Sequence, residues 1–347
     1  MNIGNINIGE NARPFIIAEM SGNHNQSLER ALAIVEAACK AGAHAIKLQT
    51  YTADAITIDC RGDEFEIADK RSLWNGRNLY ELYQAASTPY EWHGPIFQYA
   101  KKLGIICFST PFDEDAVDML EGLNTPAYKV ASFENNHHPL LKKIAGTGKP
   151  VILSTGVSSI SEIDESVRIL RENGCKDLVL LKCTSTYPAS PENTNLRTIP
   201  HLRQLYNCEV GLSDHTMGIG ASVAAIALGA SVIEKHFCLS RAEGGVDSAF
   251  SMEPHEFKLL VEESERAFLA LGAIQYGIQK EELKSLFYKR SIYITEDMKA
   301  GDVFTAQNIR IIRPGLGLAP KYFDRVLGRT INKDVKRGTA LTFELIG

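Results

Sequence analysis

Short apolar segments rich in β-branched residues alternate with longer segments of helical period along most of the 347-residue chain. Four of the helical segments are followed by glycines that suit helix C-caps: Gly42, Gly104, Gly174 and Gly229. The candidate strands are 15–19, 45–49, 105–109, 127–130, 151–154, 178–183, 209–213 and 231–236. Eight strand–helix units in about 270 residues predict an α/β fold of the (β/α)8 TIM-barrel class, whose usual size is about 250 residues.

An open, doubly wound parallel sheet is the alternative to the barrel. In a barrel, functional groups follow the carboxyl ends of many strands, whereas an open sheet gathers them at one switch point. Polar residues follow all eight candidate strands: Glu19, Lys47 with Gln49, Ser109 with Thr110, Lys129 with Ser132, Ser154 with Thr155, Thr184 with Ser185, Ser213 to His215, and Glu234 to His236. This distribution favours the barrel and predicts the active site at these strand ends.

The chain is longer than one barrel requires, which indicates a second, smaller domain. We expect residues 1–13 to cover the barrel, 14–275 to form it and 276–290 to act as a linker. Glycines and prolines then separate short apolar segments over 291–347, a pattern typical of a small β-rich domain. The long connection at 50–88 is a candidate substrate lid.

Charge and cysteine content narrow the function classes. The net charge of −5 argues against a dedicated nucleic-acid binder. Residues 281–347 carry 12 basic and 8 acidic residues, whereas the first 280 carry 25 and 34. Seven scattered cysteines without a C-x-x-C pair suit a reduced, cytoplasmic protein, and no apolar run is long enough to predict a membrane span.

His215 and His236 end two consecutive candidate strands and form the strongest candidate metal site. Neighbouring strands lie about 4.8 Å apart, so the two imidazoles can converge on one ion. A site with two histidines and open positions would let a metal polarise a carbonyl. The alternative is that each histidine is only a hydrogen-bonded residue of a polar barrel mouth. Glu234, on the same face as His236, could ligate, orient or act as a base.

Two lysines predicted within apolar strands, Lys47 and Lys129, indicate an anion site, because an unpaired buried ammonium costs several kcal/mol. Glu19 could act as a general base or pair with either lysine. Strand-end hydroxyls could add hydrogen bonds or simply cap helices: Thr110, Ser132, Ser154, Ser185 and Ser213. Lys182 offers a rival chemistry, since a lysine in a barrel strand can form a Schiff base with a carbonyl substrate.

The motifs along the barrel together resemble the sialic acid synthase family. They are Ile17-Ala18-Glu19, Lys47-Leu48-Gln49-Thr50, Ser109-Thr110-Pro111-Phe112, Lys129-Val130-Ala131-Ser132, Ser154-Thr155-Gly156, Cys183-Thr184-Ser185-Thr186-Tyr187-Pro188, Gly211-Leu212-Ser213-Asp214-His215-Thr216 and Glu234-Lys235-His236-Phe237. The Arg313-Pro314-Gly315-Leu316-Gly317-Leu318 segment is similar to the family's C-terminal antifreeze-like (SAF) domain.

This resemblance implies the condensation of phosphoenolpyruvate (PEP) with an open-chain acetamido sugar. It assigns catalysis to Glu19, His215 and His236, with a divalent metal on the two histidines, manganese in the first place and magnesium or cobalt as alternatives. The implied PEP-binding residues are Lys47, Thr110, Lys129, Ser132, Ser154, Ser185 and Ser213. The implied sugar-binding residues are Gln49, Glu134, Tyr187, Asp247 and Arg313, the last supplied by the other subunit of a domain-swapped homodimer.

Within the family, the chain is most similar to the pseudaminic acid synthases, as in Lys182-Cys183-Thr184-Ser185-Thr186-Tyr187-Pro188. Neuraminic acid synthases typically carry Asn where this chain has Ser185, which makes neuraminic acid the less expected product. A legionaminic or neuraminic acid synthase remains the alternative enzyme. A carbohydrate- or ice-binding protein is the alternative outside enzymes, although the ionisable residues at the strand ends argue against it.

Overall fold

The structure, a computed structural model, describes residues 1–70 and 72–347. They divide into unit 1, residues 1–272, and unit 2, residues 273–347. The strands are β1 Asn2–Ile3, β2 Ile6–Asn7, β3 Phe15–Glu19, β4 Ala45–Thr50, β5 Ile106–Pro111, β6 Tyr128–Val130, β7 Val151–Ser154, β8 Leu178–Cys183, β9 Glu209–Ser213, β10 Val232–His236, β11 Ser291–Ile294 and β12 Ile309–Ile312. The α-helices are α1 Leu28–Lys40, α2 Ala53–Ile56, α3 Leu79–Ala86, α4 Tyr90–Leu103, α5 Glu114–Gly122, α6 His138–Gly146, α7 Ile160–Glu172, α8 Thr198–Tyr206, α9 Gly220–Ala227, α10 Pro254–Leu271 and α11 Phe323–Val326.

Strands β3 to β10 form a closed parallel barrel in chain order, and β10 pairs with β3 to close it. The predicted (β/α)8 barrel is therefore confirmed, and the doubly wound alternative is wrong. Strands β3, β7, β8 and β9 have the bounds predicted from the sequence, and the other four differ by one or two residues. Each barrel strand is followed by a helix that covers it, as the alternating pattern requires.

The helices begin and end where local capping chemistry places them. Ser27 accepts a hydrogen bond from the amide of Arg30 at the start of α1, and Ser159 forms a capping box with Glu162 at the start of α7. Helix α4 is capped at its carboxyl-terminal end by Gly104, which has a left-handed φ of 80°. Connection 51–89 is not one extended loop, because it contains the short helices α2 and α3.

The barrel interior is layered. Its amino-terminal part is apolar and is lined by Phe15, Ile17, Ala45, Phe108, Ala127, Ile152, Val179, Leu181 and Val232. Ile3 and Ile8, from the hairpin β1–β2 and the residue after it, pack into the same cluster and are 0% and 1% exposed. Because side chains alternate along a strand, the next inward positions lie two residues further on. Those positions are polar, and they form the site described below.

Unit 2 is a small β-rich domain with its own core. Strands β11 and β12 pair antiparallel, with Ser291 opposite Ile312. Its core is formed by Ile292, Ile294, Met298, Phe304, Ile309, Val326, Ile331, Leu341 and Leu345. Across the described parts of both units, no helix combines the length and hydropathy that a membrane span requires.

Candidate active site

Four oppositely charged side chains meet inside the carboxyl-terminal end of the barrel. Lys47 Nζ lies 2.5 Å from an oxygen of Glu19 and 3.8 Å from one of Glu234, and Lys129 Nζ lies 3.5 Å from the other oxygen of Glu234. All four side chains are 6% exposed or less. The two buried lysines therefore have partners within the chain, and Glu234 bridges them.

Burial and mutual charge set the protonation of this quartet. Burial raises the pKa of Glu19 to about 7, against the lowering effect of Lys47. Burial also favours a higher pKa for Glu234, but the positive charges of Lys129 and Lys47 outweigh this effect and hold the pKa of Glu234 below its usual value. The two carboxyls thus differ: Glu234 is held as a carboxylate, whereas Glu19 can gain or lose a proton near neutral pH.

Hydroxyl groups predicted at the strand ends surround the two lysines. Lys47 donates to Thr110 Oγ1 at 3.1 Å, and Lys129 donates to Ser154 Oγ at 2.7 Å. Ser213 donates to Glu234 at 3.1 Å. These contacts join seven side chains, the charged quartet and three hydroxyls, into one network, so the hydroxyls do not serve only as helix caps.

Two further serines, Ser132 and Ser185, both have their hydroxyls close to Gly156. The amide of Gly156 donates to Ser132 Oγ at 3.1 Å, and Ser185 Oγ lies 3.7 Å from Cys183 Sγ. A Cβ built on Gly156 would come within 2.7 Å of Ser132 Oγ and still closer to Ser185 Oγ. The absence of a side chain at 156 therefore leaves room for both hydroxyls.

His215 and His236 converge as predicted, with ring centroids 5.3 Å apart. The carbonyl of Thr184 can only accept a hydrogen bond, so in the neutral imidazole of His215 the 2.9 Å contact places the proton on Nδ1 and the lone pair on Nε2. Burial holds the pKa of His236 well below its usual value, and its buried Nδ1 has no hydrogen-bond partner.

The two histidines fit a divalent metal by their chemistry. In their neutral forms both present a nitrogen lone pair, and the hydrogen bond from His215 to Thr184 is of the kind that orients metal-binding imidazoles. Over residues 1–70 and 72–347, no group of three or more His, Cys, Asp or Glu side chains is arranged as a complete metal site. The arrangement therefore suits an open site in which water or substrate supplies the other ligands.

Aromatic rings and polar side chains form the wall around the histidines. The Tyr187 ring lies 4.5 Å from that of His215. Asp247 accepts a hydrogen bond from Ser21 and lies 3.9 Å from His236 Nδ1. Gln49 donates to Glu19 at 3.0 Å. The barrel thus brings these predicted sugar-facing residues to the same mouth as the histidines.

Glu134 lies in the short 3-10 helix after β6, in the same part of the barrel. One oxygen of its carboxyl is buried without a hydrogen-bond partner. Burial raises the pKa of Glu134 to about 7, against the lowering effect of Lys129. Such a carboxyl is available to a polar group of a ligand.

Two more residues singled out in the sequence are Lys182 and Arg313. Lys182 alternates with the inward-facing Leu181 and Cys183, so it points away from the barrel interior and donates to the carbonyl of Cys183 at 2.7 Å. This placement removes support from the Schiff-base alternative. Arg313 follows β12 in unit 2, and its exposed side chain makes no hydrogen bond or ion pair among the residues that the structure describes.

Sequence reasoning missed two residues of the site. Phe250 packs its ring 4.9 Å from that of His236 and 5.1 Å from that of Tyr187. Cys183 lies inside the barrel, 3.9 Å from His215 Nδ1. The inward alternation of β8 could have found Cys183, but no pattern marks Phe250, which lies in a short 3-10 helix, Ser248–Phe250, between β10 and α10.

Comparison with known proteins gives a consistent result over the whole chain. Residues 34–276 match the model of the NeuB family, and residues 289–346 match the SAF domain. The chain is 46% identical to the pseudaminic acid synthase of Campylobacter jejuni, over 98% of both chains, and 42% identical to that of Helicobacter pylori, over 95% of this chain and 96% of the other.

Among solved structures, the chain is similar to the N-acetylneuraminic acid synthetase of Leptospira borgpetersenii. The TM-score is 0.73 and the identity 33%, over 83% of this chain and 95% of the other. Both the resemblance in the motifs and the predicted C-terminal domain are confirmed. The chain belongs to the NeuB family, the PEP-condensing sialic acid synthases, and carries a C-terminal SAF domain.

Proposed function

We propose that the chain is a pseudaminic acid synthase. It condenses PEP with 2,4-diacetamido-2,4,6-trideoxy-L-altrose and water to give pseudaminic acid and inorganic phosphate, with cleavage of the C–O bond of PEP. The observation that carries the proposal is the polar end of the barrel, where two lysines, two carboxyls and two histidines converge. The identity of 46% with the Campylobacter jejuni enzyme supports the choice of sugar.

Lys47 and Lys129 bind the carboxylate and phosphate of PEP. Their ammonium groups are already fixed by Glu19 and Glu234, so little side-chain entropy is lost on binding. The hydroxyl donors complete the anion site: Thr110, Ser132, Ser154, Ser185 and Ser213. Charge-assisted hydrogen bonds of this kind are about twice as strong as neutral ones.

Glu19 positions the water that adds to carbon 2 of PEP and takes its proton. When carbon 3 of PEP attacks the sugar aldehyde, positive charge develops at carbon 2, next to this carboxylate. Gln49 holds one oxygen of Glu19 and Lys47 holds the other, so the group has a fixed direction. A pKa raised to about 7 by burial suits a general base at neutral pH.

His215 and His236 hold the divalent metal, for which we propose manganese, with magnesium or cobalt as alternatives. Bound there, the metal would act as a Lewis acid that polarises the sugar aldehyde. Tyr187 and Phe250 shield the imidazoles from bulk water with their rings. All seven cysteines are free, as expected of a protein in the reducing cytoplasm, where we place the reaction.

The sugar is bound by Gln49, Glu134, Tyr187 and Asp247 of one subunit and by Arg313 of the other, in a domain-swapped homodimer. Two features support this arrangement. The side chain of Arg313 is exposed and unpaired among the described residues. Residues 281–347 are basic overall and the first 280 acidic, so a SAF domain and a neighbouring barrel attract each other.

Co-expressed inactive subunits test the swapped dimer. His236→Ala and Arg313→Ala homodimers are each expected to be nearly inactive. In mixed dimers, one of the two sites would combine an intact barrel with an intact Arg313, so the mixture should recover roughly a quarter of wild-type activity. Phosphate release measures the recovery. A mixture as inactive as both homodimers, although light scattering shows dimers, contradicts the swap.

A panel of sugars tests the reaction itself. With manganese and PEP, the purified protein should release phosphate with 2,4-diacetamido-2,4,6-trideoxy-L-altrose and form a product with the mass of pseudaminic acid. Diacetamido hexoses of other stereochemistry and monoacetamido hexoses should react at least about tenfold more slowly, since missing or misplaced polar partners are strongly rejected. Faster release with one of these sugars would instead identify a legionaminic or neuraminic acid synthase.

A further inference from the structure

The two candidate metal ligands lie just beyond the last backbone hydrogen bond between β9 and β10. These strands pair Gly211 with Val232 and Ser213 with Glu234, and the amide of Asp214 then donates to the carbonyl of Glu234 at 2.9 Å. His215 and His236 come after that bond. The backbone ladder between these two strands therefore does not by itself fix how far apart the imidazoles stand.

Beyond that hydrogen bond, β9 and β10 are linked by a buried ion pair between Asp214 and Lys235, which lies on the opposite face of the sheet. Lys235 Nζ lies 2.8 Å from Asp214 Oδ2, and the two side chains are 1% and 0% exposed. Since side chains alternate along a strand, this pair points outward while the two histidines point inward. Ser222, from the covering helix α9, donates to Asp214 Oδ2 at 2.6 Å.

Further hydrogen bonds join Asp214 and Lys235 to the turn that follows β9. Asp214 Oδ1 accepts from both the amide and the hydroxyl of Thr216, each at 2.8 Å. Lys235 also donates to the carbonyl of Thr216 at 2.6 Å. The turn that carries His215 is thus tied to Lys235, the residue directly before His236.

We propose that Asp214 and Lys235 are positioning residues that hold His215 and His236 at the separation a divalent metal requires. The proposal rests on the proposed function, because it takes the two histidines as the metal ligands. Stability alone does not require this ion pair, since well-packed apolar residues can replace a buried pair at little or no loss. Neither residue hydrogen-bonds to the lysines or hydroxyls of the anion site.

Titration of the metal-free protein with manganese chloride tests the proposal. The double variant D214N/K235M removes the pair without leaving a buried charge. It should weaken manganese binding about 10- to 100-fold, the usual effect of losing a group that orients metal ligands. Affinity for PEP without metal should stay within twofold. The milder variant S222A, which removes one hydrogen bond to Asp214, should weaken manganese binding by a few fold.

A matched control lies at the other end of β9, where Arg203 pairs with Glu209 at 3.0 Å. R203M/E209Q should leave manganese affinity unchanged. If D214N/K235M and S222A, with native circular dichroism, bind manganese within twofold of wild type, the positioning role is refuted while the metal site stands. If the wild-type protein binds no divalent metal, the metal site of the proposed function fails, and the positioning role with it.

Discussion

The variant His236→Ala should lose turnover almost completely, with kcat at least about a thousandfold below wild type. Polarisation of a carbonyl by a metal contributes several kcal/mol of transition-state stabilisation, and about 4 kcal/mol corresponds to a thousandfold in rate. The loss should fall on kcat because the two lysines and the hydroxyls of the anion site are untouched. Phosphate release at saturating PEP and sugar measures the effect.

His255→Ala is the matched control, since His255 lies on α10 with its side chain 75% exposed. Its kcat should equal that of wild type. Calorimetric titration should show that His236→Ala still binds PEP within a few fold of wild type. Undiminished kcat in His236→Ala would leave this histidine a purely structural residue of the barrel mouth.

Gly156→Ala should raise KM for PEP by roughly 30-fold or more and leave the fold intact. The new methyl group would collide with the hydroxyls of Ser132 and Ser185. Hydroxyls can rotate away, so the clash displaces donors rather than unfolding the protein. A hydrogen bond to a charged group contributes about 1.5–3 kcal/mol, and about 1.4 kcal/mol corresponds to tenfold in affinity.

Gly122→Ala provides the control for the same substitution without a clash. Gly122 is the last residue of α5, and a Cβ there meets nothing within 4 Å, so this variant should match wild type in KM and lose no stability. Initial rates at varied PEP concentration separate the two variants. An unchanged KM in Gly156→Ala would show that PEP does not use the hydroxyls beside this glycine.

The fold could be predicted closely because each of its elements has a local signal. Strands such as β7 and β8 are short apolar runs, and their neighbours end at glycines or begin at capping residues. The position of the site inside the barrel could also be predicted. Side chains two residues apart on a strand face the same side, so Glu19 follows the inward-facing Ile17 and Lys47 follows the inward-facing Ala45. The alternation of side chains does not show which charged residue forms an ion pair with which other.

Contacts between distant segments account for what could not be predicted. Lys47 and Lys129 indicated an external anion, yet both also pair with Glu234, which lies more than 100 residues after Lys129. Lys182 suggested Schiff-base chemistry because the sequence alone did not settle which face of β8 it occupies. No sequence pattern marks Phe250, because its contact with His236 joins a short 3-10 helix to the end of a barrel strand.

Because the barrel interior is layered, a single strand carries both a residue that packs in the apolar part and a residue of the candidate site. In β3, Ile17 packs in the apolar interior and Glu19 is a proposed catalytic residue; in β4, Ala45 packs in the same interior and Lys47 is a proposed PEP ligand. Two of the residues proposed to bind the sugar, Tyr187 and Asp247, come after strands β8 and β10 and lie beside His215 and His236. On the proposed assignment, substitutions at Tyr187 and Asp247 can therefore change the accepted sugar without altering the apolar interior of the barrel or the lysines of the anion site.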